Sequence, residues 1–455
     1  MGFKDECGVF GITQHSEAAN LTYLGLYALQ HRGQEAAGIC ATDGAELRLY
    51  KDQGYVADIF NEANLQLLAG DQAIGHTRYS TSGGNIKESA QPFIRNGRFG
   101  RLALCHNGNL TNAEQLRSYI LTKEEILQSP SDSELLLALI QLSQAESLSD
   151  AIIESLKQVQ GAYSLLIMDH ENLFAVRDPH GFRPLVLGRL GNRYVFSSES
   201  CAFDLIGANY DREVLPGELI HIQKGSLQTS FPFERKSHKP CVFEHVYFAR
   251  PDSFVFGQSV MKTRREMGRL LAERYPVSAD LVIPVPDSGV AAALGFAEAS
   301  GIPMDFGLIR NHYVGRTFIE PKQSIRSFGV RIKLNPVRHL IEGKRVILID
   351  DSIVRGTTSK KIVEMVRQAG ALEVHFRVSS PPTTHSCFYG IDTPSRENLI
   401  ASHMNNEAMN HFIKSDTLAF LTLEDLIRAV HDESRGSGYC YACFNGDYAV
   451  PPPVV

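Results

Sequence analysis

Two adjacent carboxylates, Asp350 and Asp351, stand between an apolar run and a loop of small residues. The run, residues 346–349, is rich in β-branched side chains and predicts a buried strand. A helical pattern at residues 360–369 follows the loop. This order places the acids and the loop at the carboxyl end of a strand, where open α/β sheets bind ligands.

The loop itself offers groups that can bind phosphate. Backbone N–H groups at a helix N-terminus attract phosphate, and paired carboxylates can hold ribose hydroxyls, Mg²⁺ or both. An ordinary strand, turn and N-capped helix would give a similar pattern, but the two acids directly before the loop favour a ligand site. The candidate loop residues are Arg355, Gly356, Thr357, Thr358 and Ser359.

A second group of polar residues lies in the first quarter of the chain. Cys7 fits a core position as well as a nucleophile, because free cysteines are often buried. Three further segments favour chemistry: a polar turn at residues 30–35, Arg78 among hydroxyl residues, and the pair Asn107 and Gly108 after an apolar run. By itself an Asn-Gly pair at the end of a strand predicts a hairpin turn.

Four of the cysteines can be grouped into one metal site. Cys440 and Cys443 form a C-x-x-C pair, and Cys241 and Cys387 complete a set of four thiols. A C-x-x-C pair is typical of zinc, iron–sulfur and redox sites. Zinc and an iron–sulfur cluster both accept four thiolates, so the residues alone leave the metal open. Core positions are expected for Cys40, Cys105 and Cys201.

The elements that must position these groups divide the chain into two halves. Residues 7 to about 230 combine short apolar strands with helical patches at 21–29 and 132–142, which predicts an α+β domain. The polar, proline-flanked residues 231–240 are expected to be a linker, although a surface hairpin also fits. In the second half strands and helices alternate, which predicts a parallel sheet. Its predicted strands are residues 281–285, 346–349 and 374–378.

Composition excludes some classes of protein. A length of 455 residues predicts two or three domains, and a net charge of −6 provides no basic surface for nucleic acid. No apolar run approaches the roughly 18 residues of a membrane span. The acidic start lacks the apolar core of a signal peptide, so a cytoplasmic location is expected. Eight cysteines in so long a chain do not form a secreted disulfide framework.

The motifs of the first half resemble those of N-terminal-nucleophile amidotransferases. The resemblance implies an αββα glutaminase domain at residues 7–235, preceded by a propeptide at residues 1–6. It makes Cys7 the nucleophile that attacks the glutamine amide. Asn107 and Gly108 would form the oxyanion hole. Arg78 would bind the glutamine α-carboxylate and Asp132 its α-ammonium group, although Asp132 also fits a helix cap.

The two halves together resemble the amidophosphoribosyltransferase family, whose members join a glutaminase to a type I phosphoribosyltransferase domain. That domain would span residues 241–455 and bind 5-phosphoribosyl-1-pyrophosphate (PRPP). Residues 282–289 match its pyrophosphate loop, with Asp287 and Ser288. Residues 311–319 match its flap, and the basic Arg331 and Lys333 beyond it could face phosphates. The implied Mg²⁺ site consists of Ser288, Asp350 and Asp351.

The resemblance also implies cofactors, partners and a reaction. The iron–sulfur, propeptide-bearing branch carries one Mg²⁺ and one [4Fe–4S] cluster per subunit, the cluster held by Cys241, Cys387, Cys440 and Cys443. Ammonia released from glutamine would replace the pyrophosphate of PRPP, and purine nucleotides would inhibit a homotetramer. Two other interpretations stay open. A glucosamine-6-phosphate synthase would need sugar-isomerase domains, and a PRPP-sensing regulator would need a DNA-binding module.

Overall fold

A computed structural model describes residues 7–79, 87–311, 334–431 and 438–453. The predicted propeptide at residues 1–6, the flap from residue 312 onward, Arg331 and Lys333 lie outside these ranges. Within the described ranges, no helix combines the length and the apolar character that a membrane crossing requires.

The first half is built on two antiparallel sheets. The first sheet has the strand order β11-β9-β10-β1-β4-β2-β3, and the second has the order β13-β12-β8-β7-β6-β5. Its strands are β1 (Gly8–Ile12), β2 (Ala36–Thr42), β3 (Leu47–Gln53), β4 (Gln72–Arg78), β5 (Phe93–Gly97), β6 (Gly100–Leu110), β7 (Gly161–Met168), β8 (Asn172–Arg177), β9 (Val186–Leu190), β10 (Arg193–Ser197), β11 (Asn209–Glu213), β12 (Leu219–Gln223) and β13 (Ser226–Ser230).

Helices cover the outer face of each sheet. Alternate side chains of a strand point to opposite faces. In β1, Val9 therefore packs between the two sheets while Phe10 packs against helices. In β6, Cys105 faces the other sheet and Leu104 faces helices. The result is an αββα sandwich. Its helices are α1 (Ala18–Ala28), α2 (Val56–Ile59), α3 (Glu62–Gln66), α4 (Ala113–Leu121), α5 (Asp132–Leu142), α6 (Leu148–Leu156) and α7 (Cys201–Ile206).

The second half contains a parallel sheet in the order β16-β19-β20-β21, with helices on both faces. In β19 the side chain of Ile347 packs on one helical layer and that of Leu348 on the other. Its strands are β14 (Phe254–Val255), β15 (Gln258–Ser259), β16 (Leu281–Pro284), β17 (Leu308–Arg310), β18 (Leu334–Pro336), β19 (Arg345–Asp350), β20 (Glu373–Val378) and β21 (Thr417–Phe420). Its helices are α8 (Val260–Arg274), α9 (Val290–Ser300), α10 (Arg338–Ile341), α11 (Thr357–Gln368), α12 (Asn406–Ile413), α13 (Leu423–Ala429) and α14 (Ala442–Asn445).

Two local predictions need correction. The Asn-Gly pair does not form a hairpin, because β6 continues to Leu110 and Asn107 pairs with Ser164 of β7. The helix predicted to begin at residue 360 begins at Thr357, so three of the candidate loop residues form its first turn. Residues 231–240 contain neither helix nor strand. The domain boundary that they mark stays a prediction.

Candidate active sites

Cys7 lies at the start of β1, on the edge of a buried polar region. The pairing of Gly8 with Thr77 brings Cys7 next to Arg78 of β4. The thiol donates to the Tyr79 carbonyl over 3.6 Å. Burial raises the pKa of the Cys7 thiol above its ordinary value, although the charge of Arg78 opposes the increase. The thiol is therefore protonated at neutral pH, and a nucleophilic role requires a base that takes its proton.

Asn107 and Gly108 lie near the carboxyl end of β6, where this strand pairs with β7. The Asn107 side chain is fully buried, and neither its amide nitrogen nor its oxygen has a hydrogen-bond partner among the described residues. Buried amides are normally paired, so this one is available to a ligand. Gly108 has a φ of +150°, and a Cβ there would lie 2.1 Å from the Ala162 carbonyl oxygen. Only glycine fits this position.

Asp132 connects α5 to the same region. It is the first residue of α5, after the N-cap Ser131, and its Oδ2 accepts a hydrogen bond of 2.9 Å from the Leu110 N–H of β6. Its negative charge contributes to the raised pKa of Cys7. The structure thus brings Asp132, Arg78 and Cys7 within electrostatic reach of one another. Ser131 and not Asp132 caps α5, so the buried Asp132 carboxylate is not used as the cap.

A fully buried set of four charged side chains lies behind Cys7, and the sequence interpretation did not assign it. Arg32 donates from Nε to the Cys7 carbonyl over 3.1 Å. Its two terminal nitrogens donate to both carboxylate oxygens of Glu244, over 3.0 and 2.7 Å, and it also pairs with Glu199. Arg183 pairs with the same Glu244 carboxylate. Arg32 lies in the polar turn at residues 30–35, and this turn is the one feature of the sequence that could have indicated the charged set.

The second site forms where the parallel strands β16 and β19 end side by side. The Val285 N–H donates to the Ile349 carbonyl over 2.8 Å, which holds the loop after β16 against β19. A Cβ on Gly289 would lie 2.2 Å from that same carbonyl, so the contact requires glycine. Ser288 Oγ donates to Asp351 Oδ1 over 2.6 Å. Asp287 is exposed at the rim and pairs with Arg310.

Asp350 and Asp351 form a buried pair of like charges. Burial raises the pKa of Asp350 well above its usual range, and the charge of Asp351 adds to the increase. The pKa of Asp351 is also raised by burial, although bonds from Ser288 and Ser352 and the charge of Arg264 oppose the increase. Carboxylates in this state gain most from a hard cation, because it compensates both burial and mutual repulsion.

The loop after Asp351 leads into α11 and presents its N-terminus. Gly356 is the N-cap, with a φ of +71°. A Cβ there would lie 2.8 Å from Cδ1 of Ile400, so both the backbone conformation and the space require glycine. Thr357 and Thr358 are exposed in the first turn, whereas Ser359 is buried. The first-turn N–H groups have no intrahelical partner and can bind an anion.

The four cysteines of the predicted metal site converge. Cys241 and Cys440 face each other in an isolated β-bridge. The Cys443 carbonyl accepts hydrogen bonds from the N–H groups of Thr384 and His385, just before Cys387 in the chain. Burial raises the pKa of Cys443, and the other three thiols add to the increase. Among the described residues, no three His, Cys, Asp or Glu side chains are arranged to ligate a single metal ion.

The surroundings of the four thiols fit an anionic cluster. The charge of Arg183 lowers the pKa of Cys241, Cys387 and Cys440 against the larger effect of burial. A buried cation beside three of the four thiols compensates part of the negative charge that their metal-bound form would carry. Cys40, Cys105 and Cys201 are buried in the first half, as predicted.

The loop that carries Cys387 also packs on the first half. Asn109 Nδ2 donates to the Phe388 carbonyl over 3.0 Å. A Cβ on Gly390 would lie 3.1 Å from the Cα of Gly108, so the two glycine backbones are in direct contact. The predicted metal site and the strand of the predicted oxyanion hole therefore share an interface.

Comparisons with known proteins identify the family to which the chain is similar. Residues 76–204 match a glutamine amidotransferase domain family. A chloroplastic amidophosphoribosyltransferase of Arabidopsis thaliana is 50% identical over 454 residues, which cover 99% of this chain and 80% of that protein. The amidophosphoribosyltransferase of Bacillus subtilis (strain 168) is 49% identical, with 98% of this chain and 94% of that protein covered.

A solved structure extends the likeness to the fold. The glutamine PRPP amidotransferase of B. subtilis, in complex with ADP and GMP, has a TM-score of 0.93 and 48% identity, and 98% of each chain is covered. The predicted combination of an αββα glutaminase fold and a parallel-sheet phosphoribosyltransferase fold is therefore confirmed. By identity over almost its whole length and by fold, the chain belongs to the amidophosphoribosyltransferase family.

Proposed function

We propose that this chain forms 5-phosphoribosylamine from glutamine, PRPP and water, with glutamate and pyrophosphate as the other products. This is the first step of purine biosynthesis, and it makes the enzyme both a glutamine amidotransferase and a pentosyltransferase. One observation carries the proposal. The first half has a buried cysteine and a buried amide that has no partner among the described residues, the second half has a buried carboxylate pair before a helix N-terminus, and both occur in one chain of this family.

In the glutaminase half, the Cys7 sulfur attacks the side-chain amide carbon of glutamine. The thiol needs a base because burial raises its pKa. Removal of residues 1–6 frees the α-amine of Cys7, whose ordinary pKa of about 7.7–8.0 suits that task. Asn107 Nδ2 and the Gly108 N–H donate to the oxyanion, and Arg78 and Asp132 hold the substrate. A γ-glutamyl thioester forms as ammonia leaves, and water then releases glutamate.

In the synthase half, ammonia attacks C1 of PRPP and pyrophosphate leaves with inversion. Ser288, Asp350 and Asp351 would hold one Mg²⁺, which supplies charge neutralisation for the leaving group. The N–H groups of residues 356–359 bind a phosphate of PRPP, with Arg355 at the loop, and Asp287 and Ser288 lie at the pyrophosphate. Because positioning and charge account for most of the catalysis, few proton-transfer groups are needed. We propose that the ammonia passes internally between the halves.

We further propose that the four thiols hold one [4Fe–4S] cluster per subunit. The support is that the four thiols lie within electrostatic reach of one another, that Arg183 acts on three of them, and that the set is present in a chain of this family. The cluster would fix the C-terminal segment against the linker.

The relatives suggest regulators as well. The B. subtilis structure contains ADP and GMP. We propose that purine nucleotides inhibit this chain by feedback, that it forms a homotetramer and that it acts in the cytoplasm. The two other interpretations lack support, because the second half has a parallel sheet with paired acids at its carboxyl edge.

A two-substrate assay tests the function. Wild-type protein should release glutamate from glutamine faster when Mg²⁺ and PRPP are present, and should produce phosphoribosylamine with either glutamine or ammonia. Cys7→Ala should abolish only the glutamine-dependent reaction, whereas Asp351→Ala should abolish both. Cys40→Ala is the matched control, because Cys40 is a buried core cysteine.

Two outcomes would contradict the proposal. Loss of the ammonia reaction in well-folded Cys7→Ala would refute two separate sites. Full glutamine-dependent activity in a chain that still begins at Met1 would refute Cys7 as an N-terminal nucleophile, and intact-mass measurement detects that case.

A further inference from the structure

An N-terminal cysteine nucleophile has fewer backbone constraints on its position than a residue inside the chain. After processing, Cys7 would have no peptide bond on its amino side, so it is held only through its carbonyl and the strand that follows. Rotation about the bond to that carbonyl moves both the thiol and the amine. A contact that fixes the carbonyl therefore fixes the whole catalytic residue, and misplacement by about 1 Å can cost roughly 10²-fold in rate.

Arg32 provides such a contact. Its Nε donates to the Cys7 carbonyl over 3.1 Å, and the guanidinium is fully buried. A guanidinium is planar and presents its donors in a fixed fork, so its orientation is set by the groups that bind the other nitrogens. Glu244 binds both terminal nitrogens, over 3.0 and 2.7 Å, and Glu199 of the first half binds one of them. This two-point contact fixes the plane of Arg32 better than a single bond would.

Glu244 does not belong to the first half. It follows Cys241 by three residues and begins the π-helical turn Glu244–Phe248. Arg264 of α8 holds this turn by donating to the His245 and Ala249 carbonyls over 2.7 and 2.8 Å. Arg183 pairs with the Glu244 carboxylate from the first half. The carboxylate is thus fixed from both sides, and its position depends on the second half.

We infer that Glu244 is a positioning residue for glutamine hydrolysis, supplied by the phosphoribosyltransferase half and acting on Cys7 through Arg32. The glutaminase site is then incomplete without this residue. The inference rests on the proposed role of Cys7. It goes beyond that role, because Glu244 touches neither glutamine nor the reacting atoms.

Glu244→Gln is the first test, in the full chain. Glutamine keeps the shape of the side chain but removes its charge and one acceptor. We expect kcat for the glutamine-dependent reaction to fall by roughly 10- to 100-fold. KM for glutamine should stay within about twofold, because Arg78 and Asp132 are intact. Ammonia-dependent kcat should also stay within about twofold. Arg32→Lys should also lower the glutamine-dependent kcat and leave the ammonia-dependent kcat unchanged, since lysine keeps the charge but lacks the planar fork that binds Glu244 at two points and fixes the direction toward the Cys7 carbonyl.

A matched control separates positioning from stability. Asp425 is another buried carboxylate of the second half and pairs with Arg274. Asp425→Asn should lower thermal stability while leaving the ratio of glutamine-dependent to ammonia-dependent kcat unchanged. Glu244→Asp keeps the charge, so its ratio of glutamine-dependent to ammonia-dependent kcat should lie between those of Glu244→Gln and wild type. If Glu244→Gln does not fold, the ratio in Glu244→Asp tests the inference instead.

Unchanged glutamine-dependent kcat in Glu244→Gln overturns the inference, as does a proportional loss of both reactions in a soluble variant. Either result leaves the proposed function intact. By contrast, glutamine-dependent activity in Cys7→Ala would overturn the proposed function itself, so the two failures can be distinguished.

Discussion

At the scale of single residues, both sites contain groups in states that a folded protein normally avoids. Asn107 has a buried amide without a partner among the described residues, and Asp350 and Asp351 are buried side by side. Unpaired buried polar groups and like charges cost stability. Such costs are typical of sites whose ligands provide the missing interactions, so these residues are expected to gain most when substrate and metal bind.

Asp350→Asn should raise the stability of the Mg²⁺-free protein. The folded pKa of Asp350 is raised by burial and by Asp351, so this group costs stability at every pH above its unfolded pKa of about 3.9. We expect the variant to melt higher than wild type at pH 7.5 in EDTA. A gain of about 1 kcal/mol corresponds to roughly 2–4 °C in a domain of this size.

The pH and ligand dependence provide the controls for that measurement. The difference in melting temperature between Asp350→Asn and wild type should disappear as the pH falls below about 4, where Asp350 is protonated in both the folded and the unfolded state. Mg²⁺ and PRPP should raise the melting temperature of wild type but not of the variant. Asp425→Asn, which removes a paired carboxylate, should melt lower than wild type. A lower melting temperature for Asp350→Asn in EDTA would contradict the prediction.

At the scale of elements, the ligand sites occur where strands end and helices begin. Gly356 is the clearest case, because it caps α11 with a φ of +71° and has Ile400 close by. For a residue with a Cβ, such a φ lowers the free energy of unfolding by roughly 1–2 kcal/mol. The added Cβ would also move the first turn of α11, where the phosphate is expected to bind.

Gly356→Ala should therefore raise KM for PRPP several-fold as well as lower stability. Gly301→Ala is the matched control, since Gly301 ends α9 with a φ of +72° and a Cβ added to it would have no described atom within 4 Å. Both variants should lose about 1–2 kcal/mol of stability because of the positive φ, and Gly356→Ala should lose more because its Cβ also meets Ile400. Only Gly356→Ala should affect PRPP in steady-state kinetics. Equal effects of the two on KM would show that α11 does not bind the phosphate.

The elements also show what the sequence could predict. The helix at residues 132–142 was predicted with its observed bounds, because the cap residues and the apolar run that follows them both indicate a helix beginning there. The run 346–349 was predicted as a strand because a buried parallel strand is apolar on both faces. The Asn-Gly hairpin was wrong, since the local preference of these residues is overridden by pairing with β7. Arg32 and Glu244 meet across 212 residues, and no local pattern indicates such a contact.

At the scale of the whole molecule, the two halves are joined by buried contacts at several points. Glu244 reaches Arg32, Ser253 donates to Glu199 over 2.6 Å, and the Phe388 carbonyl accepts from Asn109. The thiol set lies among these contacts, with Cys440 and Cys443 from the C-terminal segment and Cys241 beside the linker. Metal binding there would contribute folding free energy, because the unfolded chain has no preformed site.

Cys440→Ser should remove the metal and destabilise the protein. Anaerobically purified wild type should be brown and contain about four irons per chain, by the stoichiometry of a Cys₄-bound [4Fe–4S] cluster. The variant should lose the colour and most of the iron, and should melt at a lower temperature or aggregate. Cys105→Ser, at a buried core position, should retain the iron. Zinc in the wild type would refute the cluster, and colourless, metal-free, fully active protein would refute any metal site.

The contact between Gly108 and Gly390 has a consequence for the exchange of domains between relatives. Each glycine lacks the space for a Cβ: one added to Gly108 would meet the Ala162 carbonyl, and one added to Gly390 would meet Gly108 itself. The fit at this joint is a property of both halves together. A chimera that takes its glutaminase from one parent and its phosphoribosyltransferase from another keeps the joint only when both parents have glycine at these positions. The constraint between the halves acts at Gly390, because the three nearest neighbours of a Cβ added there are all backbone atoms of Gly108.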